Sequence, residues 1–260
     1  MRVTVLGCGP STGVPVIGGD WGRCDPSHPR NRRRRVSVLV EVGGIVILID
    51  TSPDLREQLL DASVTRIDAV VLTHAHADHL HGIDDLRSVN RLMGNAIPLY
   101  ADAKTLAEIG SRFGYVFKPV DDPGRFYKPT LIPHEIVGPF EVCGICVVPF
   151  AQDHGFSTTL GLRIGGFAYS TDVTELDDNA FATLQGLDLW VVDCLRREQH
   201  PTHSHLAKTL SWISRLRPGR AVLTHMDQSL DYLELSADLP GGVEPGYDGL
   251  VIELDSGGEL

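Results

Sequence analysis

The sequence lacks features that would define several classes of protein. It has no apolar run close to the roughly 18 residues that span a membrane, and its start lacks the cationic segment and longer apolar stretch of a secretory signal. It also lacks a basic excess, since 34 acidic residues against 23 lysines and arginines give a formal net charge of -11. Binding of nucleic acid through bulk charge is therefore disfavoured, no membrane partner is expected, and the cytoplasm is the expected compartment.

Cysteine is scarce as well. The five cysteines are an odd number scattered along a long chain, which argues against a disulfide scaffold. Cys143 and Cys146 have the C-x-x-C spacing of redox and zinc pairs, but no second such pair exists and both lie in an alternating apolar run. Because residues three apart in a strand point to opposite faces, we interpret them as two small strand residues.

Short apolar strands alternate with helical stretches over the whole chain, without a low-complexity linker. Strands are predicted at residues 2–6, 36–42, 45–49, 67–72, 97–100, 131–136, 140–149, 158–165, 166–170, 187–192, 220–223 and 250–254. Helices are predicted at 53–61, opened by Thr51 or Ser52, and at 80–93, 102–113, 174–184 and 204–216. Both halves have hairpins followed by strand–helix units, so we expect an α/β fold of two sheet-plus-helix layers packed face to face, in a single domain over 1–260.

The densest chemistry is the cluster His74-Ala75-His76-Ala77-Asp78-His79. It follows a fully apolar strand, and ligands collect at the carboxyl ends of strands in open α/β sheets. Three imidazoles and a carboxylate within six positions suit zinc, manganese or iron. The cluster therefore predicts a metal site.

The pattern H-x-H-x-D-H after a buried strand resembles the metallo-β-lactamase superfamily, whose fold is a four-layer αβ/βα sandwich. That resemblance implies three later ligands, each just after a strand, and the sequence offers His154, Asp172 and His225 in this order. Each has a plainer alternative, because a lone His near a strand end is usually a polar loop residue and Asp172 could cap the next helix.

The resemblance also implies roles. His74, His76 and His154 would hold one divalent ion, Asp78, His79 and His225 a second, and Asp172 would bridge them. Two such ions, zinc or manganese, activate a shared water as a nucleophile, and Asp78 would lie close to that water.

The opening segment, residues 6–15, resembles the phosphodiesterase branch of the superfamily, which includes tRNA 3′-processing endonucleases and phosphoribosyl cyclic phosphate phosphodiesterases. The segments 30–37 and 245–250 are similar to the latter group in particular. In that group a histidine before a helix acts as general acid. His203 is the first candidate and His200 the second, with surface polar residues at a helix start as the plainer alternative.

Two features of the early loop need interpretation. The run Arg32–Arg35 could meet phosphate or RNA, but we interpret it as a solvated loop. The cyclic-phosphate group often carries a structural zinc site in this loop, whereas here only Cys24 and His28 are candidates. Two ligands do not close a zinc site, so we expect Trp21 packing and local hydrogen bonds to hold the loop.

These observations lead to ranked hypotheses. The first is a metal-dependent phosphodiesterase acting on a cyclic phosphate of ribose or a nucleotide. The alternatives are a thioester or lactone hydrolase, a tRNA 3′-processing endonuclease, and a non-enzymatic nucleotide-sensing protein. The net charge and the absence of a long insertion favour a small phosphodiester or nucleotide over tRNA. Relatives are often dimers, which leaves a homodimer open.

Overall fold

The computed structural model describes residues 1–120 and 126–254, and within them two seven-stranded sheets pack face to face. The first sheet contains β1 (Arg2–Gly7), β2 (Ser37–Val42), β3 (Ile45–Ile49), β4 (Ala69–Val71), β5 (Ile97–Ala101) and β6 (Leu131–Glu135). The second contains β7 (Phe140–Val142), β8 (Ile145–Asp153), β9 (Thr158–Ile164), β10 (Phe167–Ser170), β11 (Leu189–Asp193), β12 (Arg220–Thr224) and β13 (Val243–Pro245), and β14 (Leu250–Glu253) returns to the first.

Helices cover the outer face of each sheet. The first sheet carries α1 (Leu55–Asp61), α2 (Ala77–Leu80), α3 (Leu86–Met93) and α4 (Ala103–Phe113), and the second carries α5 (Asp178–Thr183), α6 (Leu206–Leu216) and α7 (Tyr232–Asp238). One buried cluster joins the first four helices to their sheet, and a larger one contains residues of both sheets and of the last three helices. The predicted α/β sandwich of four layers is thus confirmed.

The two sheets have matching strand patterns. The first runs in the order β14-β1-β2-β3-β4-β5-β6, antiparallel as far as β3 and parallel from β3 onward. The second runs β13-β12-β11-β10-β9-β8-β7, parallel as far as β10 and antiparallel beyond it. The carboxyl ends of the parallel strands place several loops at one edge of the sandwich, where the predicted site residues lie.

The predicted continuous strand over 140–149 is wrong. Val142 pairs with Ile145, and Cys143 and Gly144 form a two-residue turn in which both residues have positive φ, 49° and 86°. Such turns match the twist of a hairpin, so the apolar alternation continues on either side of the turn. Cys143 therefore lies in the turn, and both Cys143 and Cys146 are exposed free cysteines.

Several helix boundaries also differ from the predictions. The helix expected over 80–93 is divided into α2, a 3-10 turn at Ile83–Asp85 and α3. The helix expected from 174 begins only at Asp178, and α1 begins at Leu55 with Asp54, not Ser52 or Thr51, at its N-cap position. Helix α7 and strand β13 were not predicted, because both are short and β13 includes Pro245.

The arginine run is not a solvated loop, which corrects the sequence interpretation. Of its four residues only Arg32 is exposed, while Arg33 is 1% exposed and donates to the carbonyl oxygens of Asp227 and Leu230 at 2.9 and 2.6 Å. Arg34 pairs with Asp61 at 2.7 Å and Arg35 with Asp54 at 2.7 Å. The run ties the early loop to the body of the protein.

A second group of hydrogen bonds holds the same loop. The side chain of Asn31 donates to Asp231 at 2.6 Å and accepts from the backbone N–H of Tyr232 at 2.8 Å. Burial alone would raise the pKa of Asp231. Hydrogen bonds from four N–H groups outweigh the effect of burial, so the pKa of Asp231 is lowered. Trp21 is only half-buried, with Arg32 over its ring at 5.5 Å. Long-range hydrogen bonds to residues 227–232, more than Trp21 packing, therefore fix the loop.

In the described residues no helix has the length and apolar character needed to cross a bilayer.

Replacing Arg33 with methionine should destabilise the protein by about 3 kcal/mol, because two buried carbonyl groups lose a charged donor. Arg32→Met, a change of the same type at an exposed neighbour, is the control and should shift stability by less than about 0.5 kcal/mol. Urea unfolding of both variants measures the difference. Equal midpoints would show that Arg33 does not anchor the loop.

Candidate metal centre

The histidine cluster is positioned by the end of β4 and a buried carboxylate beside it. Asp50, directly after β3, accepts hydrogen bonds from the backbone N–H of Thr73 at 2.8 Å and from its hydroxyl at 2.9 Å. His74 follows Thr73 and is buried, whereas His76, at the N-cap position of α2, is exposed. Asp78 and His79 lie within α2 and are buried. The loop and the short helix thus direct the predicted residues into one place.

Four of the seven predicted ligands form a first group. Donor atoms of His74, His76, His154 and Asp172 all lie within 4.8 Å of one another. The Nε2 atoms of His74 and His154 are 3.8 and 3.6 Å from Oδ1 of Asp172. These spacings are those of atoms that face a common centre.

The remaining three predicted ligands form a second group, in which the donor atoms also lie within 4.8 Å of one another: Asp78, His79 and His225. The Nε2 atoms of His79 and His225 each lie 3.4 Å from Oδ2 of Asp78. They lie 3.0 and 3.5 Å from Oδ2 of Asp172. Asp172 therefore presents one oxygen to each group, and it does not cap the next helix, whose N-cap is Asp177.

Partners on the outer side of the imidazole rings orient them. Nδ1 of His79 lies 2.7 Å from Oδ2 of Asp50, and Nδ1 of His154 lies 2.6 Å from the carbonyl oxygen of Thr202. Because both partners accept, each Nδ1 carries a proton, and each Nε2 faces inward as the nitrogen available to a metal ion. Sequence reasoning missed Asp50, although a carboxylate just after an apolar strand was the available signal.

The donor set fits divalent cations. The Nε2 atom of His74 is buried and has no hydrogen-bond partner in the part of the chain that the structure describes. Buried polar atoms without partners are costly, and inward imidazole lone pairs beside carboxylates are ligands of zinc and manganese alike. The seven residues could therefore hold the ions that the sequence predicts.

The electrostatics keep the carboxylates ionised. Burial would raise the pKa of Asp172, but His225 and His79 outweigh it and hold that pKa well below its usual range. Burial would lower the pKa of His225, but Asp172 and a hydrogen bond to Asp78 raise it to about 9. By contrast, burial, reinforced by His79, lowers the pKa of His74. The centre thus combines ionised carboxylates with at least one neutral imidazole.

Of the two predicted general acids, His203 faces the centre. Its Nε2 lies 3.8 Å from Oδ1 of Asp172, and its Nδ1 lies 3.3 Å from Oδ2 of Asp193. Asp193, at the end of β11, is fully buried and also accepts from the backbone N–H of Ser204 at 3.2 Å. Sequence reasoning missed Asp193. His203, Asp172 and His225 also form a third set of donor atoms within 4.8 Å.

His200 lies farther out. Its ring centroid is 5.2 Å from that of His203, and its Nδ1 accepts from the backbone N–H of Thr202 at 3.3 Å. Burial, followed by His203, lowers the pKa of His200. Its contacts are with its own loop and with His203, so the geometry favours His203 over His200. Helix α6 starts at Leu206, three residues after His203.

Backbone strain is concentrated at the centre. Asp50, Asp172 and His225 have positive φ values of 61°, 53° and 58°, a region that residues other than glycine rarely occupy. Each directly follows, or nearly follows, the end of a parallel strand. Strained residues of this kind persist where surrounding contacts determine the conformation, and they are common at functional sites.

Comparison with known families agrees with this geometry. The model of the β-lactamase superfamily domain matches residues 46–226. The chain belongs to the metallo-β-lactamase superfamily, and its fold and the order of its site residues agree with that membership.

One solved structure indicates which family of the superfamily the chain is similar to. The crystal structure of a diphosphatase from the PhnP family matches this chain with 38% sequence identity and a TM-score of 0.90. The match covers 98% of each of the two chains. Human short-form tRNase Z, at 18% identity and a TM-score of 0.70 over 97% of this chain and 99% of its own, shares the fold. The chain is thus PhnP-like.

A curated relative is longer. An octanoyltransferase of Porphyromonas gingivalis (strain ATCC BAA-308 / W83) is 35% identical over 99% of this chain, but the chain spans only 52% of that protein. A ribonuclease Z of Bradyrhizobium sp. (strain ORS 278) is 42% identical over 27% of this chain and 23% of its own length. The chain therefore spans about half, or less, of the curated relatives that it matches.

Asp50→Asn should weaken binding of divalent ions about 10- to 100-fold, because the amide no longer fixes the tautomer and orientation of His79. Asp61→Asn, at an exposed aspartate, is the control and should bind like the parent. Competition titration with a metal-sensitive dye measures both. Unchanged affinity in Asp50→Asn would contradict the positioning role.

Proposed function

We propose that the protein is a metal-dependent phosphodiesterase that hydrolyses a cyclic phosphate of ribose or of a nucleotide. His74, His76 and His154 would hold one divalent ion, Asp78, His79 and His225 a second, and Asp172 would contribute to both. The observation that carries the proposal is the placement of His203, backed by Asp193, 3.8 Å from the shared carboxylate of Asp172. A general acid at that position is what cleavage of a phosphodiester with a poor leaving group requires.

When bound, the two divalent ions supply an activated water and neutralise charge on the phosphoryl oxygens. The protein's own residues supply position and protons. Asp172 fixes the spacing of the two ligand groups through its two oxygens, and Asp50 and Thr202 hold the rings of His79 and His154 in the inward orientation. Oδ2 of Asp78 lies 3.4 Å from Nε2 of both His79 and His225, and from there Asp78 would accept a hydrogen bond from the attacking water.

His203 supplies the proton for the leaving oxygen. Asp193 accepts from Nδ1–H and would stabilise the positive charge of the ring when Nε2 also carries a proton, and that Nε2–H is directed at the centre. As the P–O bond breaks, the proton moves from Nε2 to the alkoxide, and the ring regains a proton from solvent. His203 is 11% exposed on its side chain, so solvent reaches it.

His203→Ala should lower kcat for 2′,3′-cyclic AMP about 10²- to 10⁴-fold, because an alkoxide then leaves without a proton. The loss should be much smaller with bis(p-nitrophenyl) phosphate, whose phenolate leaves readily without protonation. His200→Ala, the neighbouring change, should cost far less with either substrate. Equal losses of His203→Ala on both substrates would show that His203 is not the general acid.

Metal dependence gives a separate test. Chelated protein should turn over no phosphodiester and should recover on addition of zinc or manganese, with two ions per chain by elemental analysis. Asp172→Asn should reduce the metal bound by both groups, because the oxygens of Asp172 lie 3.0 to 3.8 Å from histidine nitrogens of each group. Phosphodiester turnover by fully chelated protein would contradict the proposed mechanism.

A diphosphate is the second candidate substrate, and the 38% identical diphosphatase structure supports it. Cleavage of a diphosphate releases a phosphate, which is a better leaving group than an alkoxide and depends less on a general acid. We expect cyclic phosphodiesters to be the better substrates. Higher kcat/KM for nucleoside 5′-diphosphates, with a small effect of His203→Ala, would favour the diphosphate instead.

The net charge of -11 supports a small substrate over tRNA. A tRNA precursor and a thioester serve as comparison substrates in the same assays. Cleavage of the precursor at a rate similar to that of 2′,3′-cyclic AMP would replace the proposal with the endonuclease, and thioester turnover that survives His203→Ala would replace it with a carboxyl-type hydrolase.

A further inference from the structure

Two surface clefts meet beside the metal centre. The first, of about 390 Å³, is lined by His74 and His76 and by Lys104 and Arg112 of α4. The second, of about 750 Å³, has Phe156 in its lining. Lys104, Ser157 and Thr158 line both clefts, so the two form one groove that leads away from the exposed His76. We call it the side groove.

Phe156 is the unusual residue of the side groove. It is 91% exposed, although it follows His154 by only two residues. Its loop is tightly closed, since the backbone N–H of His154 donates to the carbonyl oxygen of Ser157 and that of Phe156 donates to His154, both at 2.9 Å. Gly155, with φ of 74°, lies so close to Pro201 and Thr202 that a side chain there would collide. The loop therefore presents a large apolar ring to solvent on a fixed support.

The charges of the side groove are unevenly distributed. At the end near His76, Asp102 caps α4 by accepting from Thr105, and Glu108 lies 3.4 Å from Arg112, whose guanidinium also donates to the carbonyl oxygen of Ala75 at 2.6 Å. Lys104 has no hydrogen-bond or ion-pair partner among the described residues, and it is exposed. It is therefore the cation at this end that is available to a ligand.

The far end of the side groove is acidic. Asp153, Glu175 and Asp177 line it beside Phe156, and of these Glu175 is paired with Lys208 of α6. Carboxylates there repel a phosphate but accept hydrogen bonds from hydroxyl and amino groups. The groove thus offers, in sequence, the metal-centre histidines, a free cation, and an aromatic face with acceptors around it.

We propose that the side groove binds the non-reacting part of a nucleotide, with a second phosphate at Lys104 and the base stacked on Phe156. The inference rests on the proposed function and gives the substrate class of the same site: a nucleotide phosphoester that carries a further phosphate. Bases stack on aromatic side chains whatever their identity, so Phe156 selects for a base without selecting which one. Because hydrogen bonds within the loop already fix its backbone, we expect little loss of backbone conformational entropy on binding.

The test compares pairs of substrates that differ by one group. For the base, the pair is 2′,3′-cyclic AMP and methyl riboside 2,3-cyclic phosphate. Phe156→Ala should reduce the ratio of their kcat/KM values about tenfold, and Phe156→Tyr should restore it. Leu233→Ala, an exposed apolar residue on α7, is the matched control and should keep the parent ratio.

For the second phosphate, the pair is adenosine 2′,3′-cyclic phosphate with and without a 5′-phosphate. Lys104→Gln should reduce the preference for the 5′-phosphorylated compound about threefold, the size expected for an exposed ion pair. Lys118→Gln is the matched control, at an exposed lysine outside the groove. If Phe156→Ala leaves its kcat/KM ratio unchanged, base stacking on Phe156 is overturned. If Lys104→Gln leaves its ratio unchanged, the phosphate contact of Lys104 is overturned. Neither result contradicts the phosphodiesterase proposal.

If neither cyclic phosphate is hydrolysed, the proposed phosphodiesterase function is overturned. Calorimetric titration then tests nucleotide binding in the side groove separately. AMP should bind the metal-loaded protein about tenfold more tightly than ribose 5-phosphate, and Phe156→Ala should abolish the difference. Equal affinities of the parent protein for the two ligands overturn the nucleotide inference, whatever the turnover experiments show.

Discussion

The carboxylate of Asp172 is the contact on which the rest of the centre depends. It reaches from the end of β10 in the second sheet toward His74 and His79 of the first, and its two oxygens face different groups of donor atoms. A buried carboxylate is expensive unless cations or donors compensate it. In this fold, imidazoles from loops of both sheets surround Asp172 and compensate its buried charge. The site therefore forms only where the two sheets pack together.

Asp172 cannot hold the rings in place alone, and a second set of acceptors does this from outside. Asp50 holds His79, the carbonyl oxygen of Thr202 holds His154, and Asp193 holds His203. The rings of His79, His154 and His203 are therefore fixed by partners that are not themselves candidate ligands, and Asp193 also lies 3.9 Å from Nδ1 of His225. Removal of such a partner leaves every candidate ligand present but misaligned, which is why these positions are informative to mutate.

The sequence predicted the fold class and the residues that converge, and physical reasons explain what it did not predict. Residues after parallel strands meet because the strand ends share one edge. His74 could be found from the local histidine cluster, whereas Asp172 and His225 were found through the family resemblance. Asp50 and Arg33 act through partners 29 and 194 residues away, which only tertiary packing brings together. Asp193 lies ten residues before His203, but no local pattern shows that the loop between them folds back. The turn at Cys143 was missed because apolar alternation continues on both sides of a two-residue turn.

The matching strand patterns of the two sheets give Asp50 and Asp172 equivalent places. Each follows the strand at which its sheet changes from antiparallel to parallel, β3 or β10, and each has a positive φ. His79 lies between them, with Nδ1 against Asp50 and Nε2 against Asp172. Burial would lower the pKa of His79, but Asp172, Asp78 and Asp50 together raise it well above its usual range. A proton and a divalent ion held by this centre would compete for the same Nε2, so the two carboxylates that orient His79 would also make metal uptake sensitive to pH.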